Sequence, residues 1–389
     1  MAKIGKLVSK QKDTFSKIRP YNDDELSAAI NRMLTSTGFI GSLINFLPEI
    51  PLNVLIRKIR KTKTCFDFQK DVFSKIILTF QERSIDNFTV SGYDKLDKGK
   101  AYLFVANHRD IIMDSALLQI YLLSMGVKPC LSGIGDNLIS TQIFTDVAKV
   151  CNMFTIIRSG TAREIVTNSE LVSNYIRHNI CNEKKNIWIA QRNGRTKDGM
   201  DKTQASVLKM LCMSNRKEDV FTSIKALNIV PLTISYEFEP CDQLKARELV
   251  LTEKNKKYTK TQGEDYRSMR DGIFAYKGRV HLAFGEPINN AIDESIAFQS
   301  DNEKYQYLCS LIDKQMYKNY RLWPNNHIAY DMLHNVEQFQ NYYSEFSKRD
   351  FIKHLREQAN VEDISYIKMR QYLLQIYANP VKSLMENKK

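Results

Sequence analysis

Strand-like and helix-like segments alternate along the middle of the chain, and this alternation restricts the fold more than any other feature of the sequence. From Asn87 onward, short runs rich in β-branched and aromatic residues recur, and helical stretches separate several of them. The runs are NFTVSGY, AYLFVAN, PCLSGIG, MFTIIRS, NIWIAQ, IVPLTISYE and RVHLAFGEPI. Strands that alternate with helices typically form a parallel sheet covered by helices. We therefore predict an α/β domain with a mostly parallel sheet over residues 86–291.

The segments on both sides of this domain are predicted to be helical. DDELSAAINRMLTS and FDFQKDVFSKIILTFQERS carry apolar residues three and four positions apart, as one face of a helix requires. After residue 291 the sequence becomes polar and helical again and ends in DISYIKMRQYLLQIYANPVKSLM. We predict a helical N-terminal region over residues 1–85 and a helical C-terminal extension over residues 292–389.

The chain carries a surplus of basic residues, with 57 Lys and Arg against 44 Asp and Glu and a net charge of +13. Such an excess favours an anionic partner, for example a nucleic acid, an anionic lipid surface or a phosphorylated substrate. The seven Cys include no C-x-x-C pair, which favours a reducing compartment and indicates neither a disulfide framework nor a zinc site. The N-terminal MAKIGKLVSKQKDTF lacks the apolar core of a signal peptide, so we predict a cytoplasmic location.

One apolar segment, residues 38–56, comes closest to a transmembrane helix, but Asn45, Glu49, Asn53 and two prolines interrupt it. The basic cluster RKIRKTK follows it directly. Residues 38–63 could therefore dock on an anionic leaflet at the inner face of the membrane, where each Lys or Arg contributes about 1 kcal/mol. The alternative is a buried helix pair with a solvated basic face.

The motif His108-Arg109-Asp110 resembles the catalytic loop of a protein kinase, but the surrounding sequence excludes that interpretation. A kinase needs Asn five residues after the Asp to hold a metal ion, and that position is Ser115. No Gly-rich loop with a V-A-I-K lysine precedes the motif, and no D-F-G follows it. The motif instead stands where a buried strand ends, which is where α/β sheets form their sites.

At that strand end, His108 is a candidate general base. A carboxylate in the first turn of the following helix can accept from one imidazole nitrogen and leave the other free to take a proton. Both Asp110 and Asp114 stand at suitable positions. Asp110 has a competing interpretation as the N-cap of the helix that begins near IIMDSALL.

Cations and glycines follow two further strand runs. MFTIIRSG ends near Arg158, and NIWIAQRNGRTKDG places Arg192, Gly194, Arg195, Lys197 and Gly199 after another run. Glycine permits close approach of the backbone, and the arginine fork matches phosphate oxygens. We interpret these residues as an anion site beside the general base. IVPLTISYE comes next, and we place the end of its apolar run at Pro231.

The order and spacing of these blocks resemble the glycerophosphate acyltransferase family, which esterifies glycerol 3-phosphate or lysophosphatidic acid. The resemblance covers residues 87–288, with NHRDIIMDSALL, MFTIIRSG, NGRTKDG, IVPLTISYE and HLAFGEPI as its successive blocks. NGRTKDG is most similar to the form found in glycerol-3-phosphate acyltransferases. The resemblance implies an O-acyltransferase of phospholipid biosynthesis that makes phosphatidic acid or a close relative at a membrane surface.

Residue by residue, the resemblance makes His108 the general base and Asp114 its orienting partner, with Asp110 as the alternative. Arg158, Arg192, Arg195 and Lys197 would bind the acceptor phosphate, and Asn193 and Gly194 would shape the acceptor loop. Pro231 would lie on the acyl-donor side. The acceptor hydroxyl would attack an acyl-CoA or acyl-acyl carrier protein thioester directly, with no bound cofactor, no metal and no covalent enzyme intermediate.

Two departures from the family pattern leave alternatives open. Five residues separate His108 from Asp114, one more than usual, so the turn must bulge if Asp114 is the partner. Asn193 stands where the family has an acidic residue, and it can still hydrogen-bond a hydroxyl. This leaves room for an acyltransferase that acts on an amino-acid lipid precursor.

A basic nucleic-acid-binding protein is the rival from another class, but the aromatics lie in apolar runs rather than between basic residues, so we expect no nucleic-acid partner. The remaining histidines (178, 281, 327, 334 and 354) are expected to be structural or exposed.

Overall fold

The central element of the fold is a seven-stranded sheet. The computed structural model describes residues 14–139, 141–255, 258–261 and 263–387. Its strands are β1 (Ile85–Ser91), β2 (Leu103–Ala106), β3 (Leu131–Gly135), β4 (Met153–Ile156), β5 (Ile187–Ala190), β6 (Ile229–Tyr236) and β7 (Gly278–Phe284). They lie in the order β1-β7-β6-β2-β5-β3-β4. β6 and β7 pair antiparallel, and every other neighbouring pair is parallel. The predicted α/β class with a mostly parallel sheet is confirmed.

Helices precede the sheet, cover it and follow it. The N-terminal helices are α1 (Asp23–Thr35), α2 (Thr37–Phe46), α3 (Leu52–Lys61), α4 (Cys65–Phe68) and α5 (Ser74–Ser84), with a π-helical turn (Gln69–Phe73) between the last two. Within the sheet region lie α6 (Met113–Ser124), α7 (Gln142–Val150), α8 (Ala162–Cys181), α9 (Ala205–Cys212), α10 (Val220–Lys225), α11 (Asp242–Asn255) and α12 (Glu264–Phe274). The C-terminal helices are α13 (Asp301–Asn319), α14 (Pro324–His334), α15 (Glu345–Ala359) and α16 (Tyr366–Glu386). In the described part of the chain, no helix is both long enough and apolar enough to cross a membrane.

Strand β2 shows how the sheet separates two apolar cores. Successive side chains of a strand point to opposite faces. Leu103 and Val105 pack into a cluster with residues of α8, α9 and α13, whereas Phe104 and Ala106 pack into a second cluster with residues of α5 and α6. Both faces of β2 are therefore buried, which explains why the AYLFVAN run is continuously apolar.

The terminal helices form further clusters that are joined to the domain. The helices that precede the sheet pack around Met33, Leu55 and Phe68 and also bury Val150 at the end of α7. Helices α14 to α16 pack around Phe351 and Tyr377 together with Val250 of α11. Because α13 contributes to the same core as β2, the C-terminal extension is built into the α/β domain.

Candidate active site

A cavity of about 930 Å³ opens at the carboxyl ends of β2, β3, β4 and β5. This volume is typical of sites for small-molecule ligands. The polar residues that line it include His108, Arg158, Arg192, Asn193, Arg195, Lys197 and Glu248. The apolar residues that line it include Ile111, Ile112, Ile134, Met153, Ile156, Trp188, Val207 and Met210. The predicted base and the predicted cations thus lie around one cavity that also has an apolar wall.

His108 lies at the cavity with one ring nitrogen engaged by Asp114. Its Nδ1 is 3.0 Å from Oδ2 of Asp114. The same carboxylate oxygen accepts the backbone N–H groups of Arg109 at 2.7 Å and Asp110 at 2.9 Å. These two bonds close the turn between β2 and α6. Five residues separate His108 from Asp114, and the turn accommodates this spacing because the Asp114 side chain accepts from the turn's own backbone N–H groups.

The other oxygen of Asp114 is held from across the sheet. The Tyr236 hydroxyl donates to Oδ1 at 2.8 Å from the end of β6. Burial raises the pKa of Tyr236 well above its ordinary value, and the Asp114 carboxylate adds to the shift, so the phenol stays protonated as a donor. Both carboxylate oxygens of Asp114 therefore accept from fixed donors, which restricts the orientation of the imidazole that it contacts.

Asp110 occupies a different position from Asp114. Its Oδ1 accepts the backbone N–H groups of Ile112 at 2.8 Å and Met113 at 2.7 Å, at the first turn of α6. Its Oδ2 is buried without a hydrogen-bond partner among the described residues. The structure thus brings Asp114 to His108 and places Asp110 at the start of the helix.

A buried ion network lies behind His108. The Arg109 guanidinium is held by Asp201 at 2.6 Å and by Glu239 at 3.1 Å. Lys245 donates to Glu239 at 2.6 Å and to the Arg109 carbonyl at 2.7 Å. Burial alone would lower the pKa of Arg109, but the carboxylates of Asp201 and Glu239 outweigh it and raise that pKa. The network fixes the backbone next to His108, and removing one charge would leave its partners buried and unpaired.

The cations lie on the segment between β5 and α9, which we call the cation loop (residues 191–204). Arg195 is buried, and its Nη1 has no hydrogen-bond partner among the described residues. The Nε atom of Arg192 is also buried without a hydrogen-bond partner among the described residues. A buried guanidinium N–H without a partner is costly, so these groups are suited to an anionic ligand. The loop reaches the base through Thr196, whose N–H donates to the His108 carbonyl at 2.7 Å.

Arg158 and two residues of the cation loop, Asn193 and Lys197, have protein partners. Arg158, exposed at the cavity mouth after β4, donates to the side-chain oxygen of Asn193. The Asn193 N–H donates to Gln204 at 2.8 Å. Lys197 is paired with Glu248 of α11. Gly194 adopts a left-handed φ of 71° that suits glycine. Asn193 thus connects the second and third blocks, which an acidic residue at this position would also do.

Pro231 does not have the position expected of it. We placed the end of an apolar run at Pro231 and assigned it to the acyl-donor side, but β6 continues through it and is buried along its whole length. Pro231 pairs with Val105 of β2, and its carbonyl accepts from Gly285 at 2.8 Å. It is not among the described residues that line the cavity. The apolar wall comes instead from the segments around β3, β4 and α9.

His354 was expected to be structural or exposed, and it has a carboxylate partner that the sequence did not indicate. Its Nε2 lies 2.6 Å from Asp242, and Tyr377 donates to the same carboxylate at 2.8 Å.

The sequence analysis did not identify four residues around the site: Tyr236, Asp201, Glu239 and Lys245. Tyr236 ends a predicted strand, which was a usable signal, whereas the ion network joins residues far apart in the chain. The described residues contain no group of three or more His, Cys, Asp or Glu that could hold a metal ion.

Comparison with known proteins gives a match for the segment that carries this site. Residues 87–235 match the family model described as Acyltransferase. This range contains His108, Asp114 and the whole cation loop, so the predicted resemblance to acyltransferases is confirmed for residues 87–235.

A solved structure, the 1-acyl-sn-glycerophosphate (LPA) acyltransferase PlsC from Thermotoga maritima, is similar at 13% sequence identity and a TM-score of 0.35. The similarity covers 76% of this chain and 97% of that chain. A search of curated proteins gives no match. The similarity to acyltransferases therefore rests on the family model.

Proposed function

We propose that this protein transfers an acyl chain from a thioester to a hydroxyl of a phosphorylated glycerol acceptor, either lysophosphatidic acid or glycerol 3-phosphate. The observation that carries the proposal is the shared cavity, in which the His108–Asp114 pair, the cation loop and an apolar wall meet. A base, an anion site and an apolar surface are what the hydroxyl, the phosphate and the acyl chain of this reaction require. The acyl donor is a thioester of coenzyme A or of acyl carrier protein.

In the proposed mechanism, Asp114 holds Nδ1 of His108, and Nε2 takes the proton of the acceptor hydroxyl. The oxygen attacks the thioester carbonyl and forms a tetrahedral intermediate. Its collapse breaks the carbon–sulfur bond, and the leaving thiolate receives from the imidazolium the proton that came from the acceptor hydroxyl. Arg195, Arg192, Arg158 and Lys197 bind the acceptor phosphate and hold the hydroxyl near His108, which converts a bimolecular encounter into a positioned one.

A thiol-release assay tests the acceptor class. Purified protein is mixed with a long-chain acyl-CoA and, in separate reactions, lysophosphatidic acid, glycerol 3-phosphate, monoacylglycerol or a lyso-amino-lipid. We expect acceptor-dependent thiol release with one or both phosphorylated acceptors and little with monoacylglycerol, which lacks the phosphate. Equal rates with monoacylglycerol would contradict the phosphate assignment, and a preference for the lyso-amino-lipid would move the function to amino-acid lipids.

Lys197 gives the cavity a predicted pH dependence. Burial lowers the pKa of its ammonium to about 8, with the nearby Arg195 charge adding to the shift. The charge is present below that pKa and is lost as pH rises through it. Between about pH 7 and about pH 9 we therefore expect kcat/KM for the acceptor to fall by about threefold to tenfold.

Lys197→Arg is the matched control for this fall, because arginine stays charged over the same range. We expect the acceptor kcat/KM of this variant to be flat where that of the wild type declines. A wild-type decline that persists unchanged in Lys197→Arg would show that another group titrates.

We also propose that the region of α2 and α3 docks on an anionic membrane. Ile44 and Val54 are 48% and 45% exposed on these helices. Arg57, Lys58, Arg60 and Lys61 are exposed on α3. The pKa of Lys58 is lowered chiefly by the adjacent Lys75 ammonium, which reflects a dense positive patch. Apolar side chains beside concentrated positive charge favour binding to anionic leaflets.

Vesicle co-sedimentation tests this docking. With vesicles that contain phosphatidylglycerol, we expect Ile44→Asp/Val54→Asp to bind at least about tenfold more weakly than the wild type. Ile367→Asp is the control, since Ile367 is 77% exposed but lies on α16. Binding of the wild type to these vesicles should weaken when salt is added. It should also be weaker with vesicles made of phosphatidylcholine alone. Equal binding by the double variant and the wild type would rule out docking through these helices.

A further inference from the structure

The cation loop is held from outside the acyltransferase domain. The family model ends at residue 235, but the last helix of the chain, α16, lies against the loop. The contacts between them concern Asp198 and Gly199, directly after Arg195 and Lys197. The loop that carries the cations is thus contacted by a residue 181 positions later in the chain, since Asn379 donates to the Asp198 carbonyl.

Gly199 lies directly against α16. It adopts a left-handed φ of 80°, and a Cβ placed on it would lie 2.1 Å from the carbonyl oxygen of Ile376. Pro380 lies inside α16, four residues after Ile376. Proline has no backbone N–H, so it cannot make the helical hydrogen bond to that carbonyl. α16 continues through Pro380, but the missing hydrogen bond leaves the Ile376 carbonyl oxygen available, and the backbone of Gly199 packs on it.

Two side chains fix the loop on either side of this contact. The Asn379 amide donates to the Asp198 carbonyl at 2.7 Å. The carboxylate of Asp313 on α13 accepts from the Thr203 N–H at 2.8 Å and from its hydroxyl at 2.6 Å. On the opposite side, Arg109 donates to the Gly199 carbonyl at 3.1 Å. The loop is therefore clamped between the ion network behind His108 and the C-terminal helices.

We propose that α16 is a positioning element of the acyltransferase site, in which Asn379 and Gly199 are positioning residues that hold Arg195 and Lys197 at the cavity. This inference rests on the proposed function, because it assigns the loop to the acceptor phosphate. The imidazole of His108 is held by Asp114, and the loop contacts only the His108 carbonyl, through the Thr196 N–H. Loosening the loop therefore weakens acceptor binding and leaves the chemical step and the donor site nearly unchanged.

The test compares Asn379→Ala with a matched control, Asn289→Ala. Asn289 also donates its amide to a main-chain carbonyl, that of Lys225 at 2.8 Å, but it lies away from the loop. For Asn379→Ala we expect acceptor KM to rise about tenfold while kcat and donor KM stay within about twofold. Asn289→Ala should leave all three constants within about twofold of the wild type at a similar loss of thermal stability. Gly199→Ala should raise acceptor KM further, and if it fails to fold, Asn379→Ala decides.

Calorimetric binding of glycerol 3-phosphate separates this inference from the proposed reaction. If the wild type binds glycerol 3-phosphate but transfers no acyl group, the proposed reaction is wrong, and weaker binding by Asn379→Ala still supports the positioning role. If Asn379→Ala matches the wild type in acceptor KM and in glycerol 3-phosphate affinity, the positioning role is overturned. If the wild type neither binds nor transfers, both are overturned. A fall in kcat with unchanged acceptor KM would also contradict the inference.

Discussion

His108→Ala is expected to lower kcat for acyl transfer by about a thousandfold, within the range that general-base catalysis contributes. Asp114 cannot replace His108 as the base, because it is buried behind the imidazole and engaged by fixed donors. Acceptor KM should change little because the cation loop is intact. The measurement is steady-state thiol release with saturating acceptor.

The fold should survive this substitution. Asp114 keeps the N–H groups of Arg109 and Asp110 and the Tyr236 hydroxyl after the imidazole is removed, so no buried charge is left without partners. Circular dichroism and the thermal midpoint check this directly. His178→Ala is the control, because His178 lies on α8 away from the cavity. Near-normal turnover by a folded His108→Ala would show that the base has been misassigned.

Asp114→Asn is expected to lower kcat by about a hundredfold to a thousandfold, no more than His108→Ala, because Asp114 acts through the imidazole that it orients. An amide has one acceptor oxygen, and its NH2 group replaces the other. This NH2 group would face a donor of the turn or the Tyr236 hydroxyl, and an amide beside the imidazole favours the wrong tautomer. Steady-state kinetics at fixed pH measure the loss.

Asp110→Asn is the matched comparison in the same turn. The side-chain oxygen of Asn can still accept from Ile112 and Met113, so kcat should stay within about threefold of the wild type. A larger kcat loss in Asp110→Asn than in Asp114→Asn would reverse the roles given to the two carboxylates.

Local sequence patterns predict much of the fold and the residue types of the site. Each predicted strand run overlaps an observed strand. The central strands are easiest to recognise, because buried strands carry continuous apolar runs bounded by turn residues. His108, Arg158 and Arg195 could be proposed since each follows such a run, and carboxyl ends of parallel strands share one edge. The choice between Asp110 and Asp114 could not be made from spacing, because it depends on which backbone N–H groups each carboxylate satisfies in the folded turn.

What the sequence did not reveal are contacts between distant residues. Tyr236 reaches Asp114 across 122 positions, and Glu239 reaches Arg109 across 130. No helical or strand period relates such pairs, and they exist only once the strand order has formed. The misplacement of Pro231 has a related cause. A proline in an apolar run suggests an end to the strand, yet the sheet accepts it where β6 passes from its pairing with β2 to its pairing with β7.

The most direct test is product identification by mass spectrometry. Wild-type protein and His108→Ala are incubated in parallel with oleoyl-CoA and lysophosphatidic acid, and again with oleoyl-CoA and glycerol 3-phosphate. We expect the wild type to form the acylated phospholipid, phosphatidic acid or lysophosphatidic acid, from at least one acceptor, and His108→Ala to form almost none. Absence of both products with the wild type, or equal amounts from the two proteins, would contradict the assignment of this cavity to His108-dependent acyl transfer.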